Sequence, residues 1–495
     1  MIQYGDGFAA MTYTATEKEC GVYYTPVDVA ATLVKWAVRH ASDCMLDPSC
    51  GDGRFLSFHR NSIGVEQDRD ATLRAAARAP WAAIHESDFF TWARETPHRF
   101  DCAVGNPPFI RYQRWQTEVR QRALALCERL GVPFSSLTSS WAPFLAVTAS
   151  LLNPGGRMAF VVPAEIGHAT YSTPLLEYLA RNFATVRIVA VRRKMFTGLS
   201  EDCWLLYAEG FGTRTDHFEI TLQEDFAYTD RLPGDCQRVS LSEWRSFRSR
   251  LRPFLLPARI RSLYRELAGS PMTVRLGDLA RVGIGYVTGA NDFFHLRPSE
   301  AANACIPQEF LHPSVRNGRT LPQKAVTHAT VRAWLNRDEP VLFLRISQGQ
   351  TLPASVRRYL DTPEAQLAQR TYKCRSREPW YVVPDVHVPD AFLSYMSGDG
   401  VALVANHAKC VCTNSVHGVM LKNGTSVESL QRSWGTPLAR LSCELEGHPL
   451  GGGLLKLEPR EAANLVLPNA RAQMVGESAS LDEGIDVMKR WRHYV

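Results

Sequence analysis

What this 495-residue sequence has little of narrows it first. No stretch reaches the ~18 consecutive apolar residues that a membrane span needs, so no membrane partner is expected. The opening Met1-Ile2-Gln3-Tyr4-Gly5-Asp6 lacks a charged region followed by an apolar one, which predicts a cytoplasmic rather than a secreted protein. Among the 12 cysteines no Cys-x2-Cys pair is matched by a second, and Cys410 and Cys412 stand too close for a usual zinc knuckle; reduced thiols and no metal site are expected. The second half holds no low-complexity tract and no internal repeat. Charge of one sign is scarce as well: 56 Lys and Arg against 50 Asp and Glu leave +6, which permits a polyanionic partner without demanding one. The 45% apolar content is that of an ordinary globular chain, long enough for two or three domains.

What is present centres on Asp101-Cys102-Ala103-Val104-Gly105-Asn106-Pro107-Pro108-Phe109. It reads as a buried strand that stops abruptly, because two prolines cannot continue a ladder and the first forces Asn106 into an extended conformation. A stiff loop at the carboxyl end of a parallel strand lies in the usual ligand crevice of an open α/β sheet. The amide oxygen of Asn106 and a backbone carbonyl can together hold an NH2 group, while the Phe109 ring stacks on a flat heterocycle. A planar, amine-bearing substrate suits this tip; a turn that merely ends a strand is the plainer alternative.

Upstream, Thr25 is placed to cap a helix with Pro26 at its first position, followed by Val29, Leu33, Trp36 and Ala37 at helical spacing. The run Cys44 to Leu56 reads as strand, acidic residue, glycine turn and helix. A third glycine is missing where Leu56 stands, and Asp52 would repel a pyrophosphate, so a dinucleotide site is not expected and the ligand should carry positive charge. Ile63 to Glu66 makes a second strand ending in a carboxylate 19 positions after Asp47, close to the ~20 at which an acid binds ribose hydroxyls. A third strand, Trp81 to His85, runs into Asp88-Phe89, which can meet an adenine edge and face. Four successive strand ends thus carry Asp47, Glu66, Asp88 and Asn106, and their regularity predicts one crevice.

In order, Tyr24-Thr25-Pro26, the Asp47-Pro48-x-Cys50-Gly51-x-Gly53-x-Phe55-Leu56 turn, Glu66, Asp88-Phe89 and Asn106-Pro107-Pro108-Phe109 resemble the γ-class, TaqI-like adenine-N6 DNA methyltransferases. The resemblance implies an α/β, Rossmann-like S-adenosylmethionine-dependent methyltransferase domain followed by a mixed, β-rich DNA target-recognition domain. It implies that Tyr24, Thr25, Pro26 and the Asp47, Pro48, Cys50, Gly51, Gly53 turn hold the methionine part of the cofactor, and that Glu66 holds the ribose. Asp88 and Phe89 would take the cofactor adenine, with Phe144 beside it, although Ser139-Ser140-Trp141-Ala142-Pro143 departs from the family pattern. Asn106, Pro107, Pro108 and Phe109 would be the catalytic loop, with Asn106 also beside the cofactor; Phe109 stands where Tyr is frequent, and Phe196 resembles a second ring packing on the extruded base.

The expected domains are 1–245 (catalytic), a basic linker 246–272 and 273–495 (recognition). Arg245, Arg248, Arg250, Arg252, Arg259, Arg261 and Arg265 form either a helix with a solvated basic face or a phosphate-contacting seam. Gly285-x-x-Thr288-Gly289-x-Asn291-Asp292, Lys373-Cys374-Arg375 to Trp380-Tyr381, and Gly451 to Leu457 resemble parts of the family's recognition domain. β-like runs are expected at Val282 to Gly289, Trp380 to Pro384 and Val416 to Met420. The implied function is methylation of adenine N6 in double-stranded DNA by base flipping, acting as a monomer, with a separately encoded restriction endonuclease as possible partner. A protein-glutamine or RNA methyltransferase, or a catalytically silent specificity subunit, are the alternatives.

Overall fold

A computed structural model describes residues 25–196, 201–422, 424–469 and 478–494. The chain divides into two compact units, Met1–Leu255 and Leu256–Val495. The first is built on nine strands: β1 Met45–Asp47, β2 Ser62–Glu66, β3 Ala83–Glu86, β4 Phe100–Gly105, β5 Leu152–Pro163, β6 Phe183–Val191, β7 Cys203–Phe211, β8 His217–Gln223 and β9 Gln237–Ser240. Their order in the sheet is β3-β2-β1-β4-β5-β7-β6-β8-β9. The pairs from β3 through β5 are parallel, and β7 runs antiparallel between β5 and β6.

Strands β1, β4 and β5 read as apolar runs because both faces of this part of the sheet are covered. Val104, Ala159, Val161 and Leu205 join Val29, Leu33 and Val34 of helix α1 (Val27–Ala37) in one core. Each such side chain contributes ~1.5–3 kcal/mol on burial. Further helices are α2 Arg69–Arg78, α3 Phe89–Glu95, α4 Thr117–Arg129, α5 Trp141–Ser150 and α6 Ser172–Asn182. The α5 segment Trp141 to Ala149 is buried all round, as its unbroken apolar composition requires. The segment Asn153 to Gly156 forms an irregularity of β5, with Gly155 at φ +77°. Since β2 and β3 lie to one side of β1 and β4 and β5 to the other, the strand order reverses between β1 and β4. That is the position at which doubly wound sheets bind ligands, beyond the carboxyl ends of the strands.

The second unit carries smaller sheets of five, four, three and two strands. Its five-stranded sheet pairs Ala280–Ile284 with Val416–Leu421, and Val416–Leu421 with Ala391–Ser394. The run Trp380 to Pro384 forms no strand; Trp380 instead packs its ring against Phe293 and Phe294. Beyond the terminal helix Ser478–Trp491, buried Arg492 bonds Glu444 and the carbonyls of Gly453 and Gly398. The guanidinium thereby fixes the glycine turn at 451–453 to the end of the chain. The arginine-rich stretch is mixed: Arg245, Arg248, Arg259 and Arg265 are exposed, the other three are not. Arg252–Leu255 forms a 3-10 turn and Ala258–Gly269 a helix, with Arg250, Arg252 and Arg261 buried. Arg245 pairs with Glu177 and Arg259 with Glu483. Among the described residues no helix is long and apolar enough to cross a membrane.

Candidate functional site

The parallel strands bring the expected residues to one edge of the sheet. Asp47 ends β1, Glu66 ends β2, Asp88 follows β3 as the cap of α3, and Asn106 follows β4. In sheet order they stand as Asp88, Glu66, Asp47, Asn106.

Asp47 is 0% exposed. Among the described residues its Oδ1 accepts only the Ser49 N–H, at 3.2 Å, and its buried Oδ2 has no hydrogen-bond partner. Burial, with Glu66 and Asp52 adding like charge, pushes its carboxyl well above the ordinary range. The neighbouring strand is close: a Cβ on Gly105 would lie 3.0 Å from Asp47 Oδ1. Ser49 Oγ reaches the Asn106 carbonyl at 3.4 Å, and Asn106 Nδ2 donates to Thr25 Oγ1 at 3.2 Å. Thr25 therefore does not cap α1; Pro26 occupies the cap position and the hydroxyl turns toward Asn106. Arg54 completes the link by donating to the Thr25 carbonyl at 2.8 Å.

The glycine turn owes its shape to close packing. Gly53, at φ +79°, lies so near α2 that a Cβ would meet Ala75 Cα at 2.8 Å. Cys50 is buried with its sulfur against Gly64, and its thiol is shifted strongly upward by burial. Asp52 does not set the ligand's charge as expected, because Arg54 and Arg78 both pair with it.

Glu66 receives the N–H of Gly51 on Oε2, at 2.9 Å, and those of Gln67 and Asp68 on Oε1, at 2.8 and 2.9 Å. A carboxylate has about four lone-pair sites, so one remains for a hydroxyl. Asp88 Oδ1 accepts from Thr91 N, Thr91 Oγ1 and Arg122 Nη1 at 2.9, 2.8 and 2.8 Å. Phe89 is buried and stacks on Phe144, ring centroids 5.0 Å apart, while Phe144 meets Phe90 edge-on at 4.7 Å. One face of Phe89 is thus already covered by a core ring.

Phe109 packs against the core cluster that contains buried Phe196, so the two expected rings share one environment. The departure at Ser139-Ser140-Trp141 has a physical reason. Ser140 Oγ donates to the Pro108 carbonyl and accepts from Ile110 N at 2.9 Å, fixing the backbone on both sides of Phe109. Trp141 Nε1 donates to Glu165 at 2.7 Å, which also accepts from Tyr171 at 2.5 Å. Local sequence gave no signal for the contacts of Ser140 with Ile110, Arg54 with Thr25 or Arg122 with Asp88, which span 29 to 34 positions. Tyr24 and the arm before it lie outside the described residues, as do Thr197 and Gly198.

Two family models match the chain: the Eco57I restriction-modification methylase over residues 63–196, and the type II methyltransferase M.Eco57I, C-terminal domain, over residues 249–492. The chain is 19% identical over 462 residues to type II methyltransferase M.AccI of Acinetobacter calcoaceticus, covering 90% of this chain and 84% of that protein. It is 22% identical over 472 residues to type II methyltransferase M.XamI of Xanthomonas campestris pv. amaranthicola, covering 91% and 85%. Two further matched methyltransferases are covered over 45% and 36% of their own lengths. In fold, the chain is similar to the type IIL restriction-modification enzyme MmeI in complex with DNA, with TM-score 0.53, 11% identity, 90% of this chain and 69% of that one covered.

Proposed function

Because the chain belongs to the type II restriction-modification DNA methyltransferases, we propose that it methylates the exocyclic N6 of adenine in double-stranded DNA, with S-adenosylmethionine as donor. The observation that carries this reading is the buried Asp47 Oδ2, without a hydrogen-bond partner among the described residues, beside the Asn106 loop at the reversal of strand order. An unmet buried acceptor is costly, and a cationic ligand group relieves it.

The residues present fit the donor. Asp47 and Thr25 would hold its amino-acid part, the remaining lone pair of Glu66 its ribose, and Asp88 with the Phe89–Phe144 wall its adenine. When bound, S-adenosylmethionine supplies an electrophilic methyl group on a sulfonium. The chain's own part is to hold the amine. The adenine nitrogen is a poor nucleophile because its lone pair is delocalised into the ring. Acceptance of its two hydrogens by the Asn106 side-chain oxygen and the Pro107 carbonyl favours a pyramidal nitrogen. Catalysis is then positioning plus electrostatics, with Ser140 keeping the loop fixed. Extruding the base costs a few kcal/mol, which Phe109 and Phe196 would offset in part. Action as a monomer, in the cytoplasm, beside a separately encoded endonuclease belongs to the same proposal.

The test is transfer of labelled methyl from S-adenosylmethionine to mixed bacterial genomic DNA, with nucleoside analysis and single-molecule mapping. Methyl-adenine at one recurring short sequence is expected. Asn106→Ala should lower transfer by at least about 10²-fold while cofactor binding stays nearly intact. Label in RNA or protein but not DNA, or normal turnover by Asn106→Ala, would overturn the reading.

A further inference from the structure

Two stretches of the second unit that resemble recognition-domain motifs, 86 positions apart, pack against each other. Arg377 donates to the Thr288 carbonyl at 2.8 Å and to that of Val287, and Cys374 Sγ reaches the Thr288 carbonyl at 3.5 Å. Gly289, at φ +84°, presses so closely on the helix Tyr372–Arg375 that a Cβ would lie 2.6 Å from Lys373 Cβ. Beneath them, Phe293 stacks on Tyr359 at 4.9 Å and meets Trp380 at 5.6 Å. This inner side is packed and hydrogen-bonded.

The outer side is the opposite. Tyr372 is 74% exposed, the most exposed large apolar side chain among the described residues. Arg370, Lys373 and Arg375 surround it in sequence, all exposed, and the run 365–377 carries no acid. None of the three cations has an ion pair among the described residues, whereas Arg245 and Arg259 of the earlier basic stretch are paired and Arg252 and Arg261 are buried. Lys373 Nζ lies 6.0 Å from the Tyr372 ring centroid. Cations interleaved with an exposed ring, on a support that needs no ordering, match a charged backbone with flat bases.

We infer that Arg370–Arg375 is a duplex-DNA contact element of the second unit: Arg370, Lys373 and Arg375 neutralise phosphates and Tyr372 stacks on a base or sugar. This rests on the DNA reading above and assigns it to particular side chains.

The full chain is titrated onto a short mixed-sequence duplex by fluorescence anisotropy over a series of salt concentrations. Each phosphate contact contributes about 0.9 to the slope of log affinity against log salt. The triple variant Arg370→Gln, Lys373→Gln, Arg375→Gln should therefore show a slope shallower by about 2–3 and at least ~10-fold weaker binding. Tyr372→Ala should weaken binding by roughly 10-fold and Tyr372→Phe should restore it. A control triple with the same charge change at exposed sites, Arg319→Gln, Lys324→Gln, Arg332→Gln, should keep the slope. An equal loss in the control, or an unchanged slope in the first triple while the unaltered chain binds duplex, overturns the inference alone. An unaltered chain that binds RNA and not duplex overturns the DNA reading beneath it. Matched melting curves for the variants exclude misfolding as the cause.

Discussion

At the scale of single residues, Asp47 shows both what sequence can announce and what it cannot. A carboxylate at the end of an apolar strand before a glycine turn is legible, because little else explains an acid there. Its burial to 0% and its partnerless Oδ2 are not, since they depend on Gly105 and Asn106 of another strand. The same holds for Ser140, which looks like a departure from pattern until its hydroxyl is seen bridging Pro108 and Ile110. Asp47 also gives a pH dependence with a definite sign. Its carboxyl sits above the ordinary range because burial disfavours the charged form. A bound cation draws it back to the carboxylate, so binding of S-adenosylmethionine releases a proton and affinity rises with pH through the raised value. Calorimetry in two buffers of different ionisation enthalpy should detect that proton. Asp47→Asn should bind about 10-fold or more weakly and lose the pH dependence; a variant that keeps both would remove Asp47 from the cofactor's contacts.

Among elements, strands buried on both faces were readable as apolar runs, and the expected β1, β2, β3 and β4 stand within a few residues of their observed limits. Trp380 to Pro384 misled, because aromatic and β-branched composition suits an aromatic cluster as well as a strand. In the arginine-rich stretch sequence could not sort the cations: Arg250, Arg252 and Arg261 are buried and Arg245 and Arg259 find Glu177 and Glu483, partners that only the fold supplies. The layer beneath the 287–292 loop carries a second pH effect. Buried His295 holds the Asn291 carbonyl through Nδ1 at 2.8 Å and meets the Tyr286 hydroxyl through Nε2 at 2.8 Å, and Tyr286 also bonds Ser314 at 2.6 Å. A neutral imidazole, protonated on Nδ1, satisfies both contacts. Burial first, and Arg316 after it, lowers the His295 pKa to about 4, against the raising effect of the Asn291 carbonyl. The folded form then refuses a proton that the unfolded chain accepts below its ordinary 6.5. This contribution to stability is complete above that pH, falls as pH drops toward 4, and amounts to a loss of about 2 kcal/mol by pH 5. Denaturant midpoints of the second unit at pH 7 and pH 5 should differ accordingly, and His295→Gln should flatten the difference. An unchanged difference in that variant would place the pH effect elsewhere.

For the whole molecule, the first half was legible because its motifs follow one another in chain order and four of them, at Asp47, Glu66, Asp88 and Asn106, sit at the ends of the parallel strands of one sheet. In the second half the runs at Val282 and Val416 were legible as strands, but their pairing was not, because its sheets join distant segments, as where Ala280–Ile284 pairs with Val416–Leu421. The two units nevertheless present different chemistry. The first gathers carboxylates and an amide on one sheet edge, which suits a small cationic cofactor and an amine. The second exposes, around a ring, cations that have no ion pair among the described residues, which suits a polyanion. A division of labour follows from this and can be measured without knowing the recognition sequence. Asp47→Asn should weaken S-adenosylmethionine binding and leave salt-dependent affinity for a mixed-sequence duplex unchanged. The Arg370, Lys373, Arg375 to Gln triple should do the reverse, because counterion release depends on cations that touch phosphate and not on the cofactor edge. Combined in one chain, the two changes should add in log affinity for each ligand separately, as independent sites do. Loss of both ligands in either variant would mean that the cofactor edge and the cationic element act as one site.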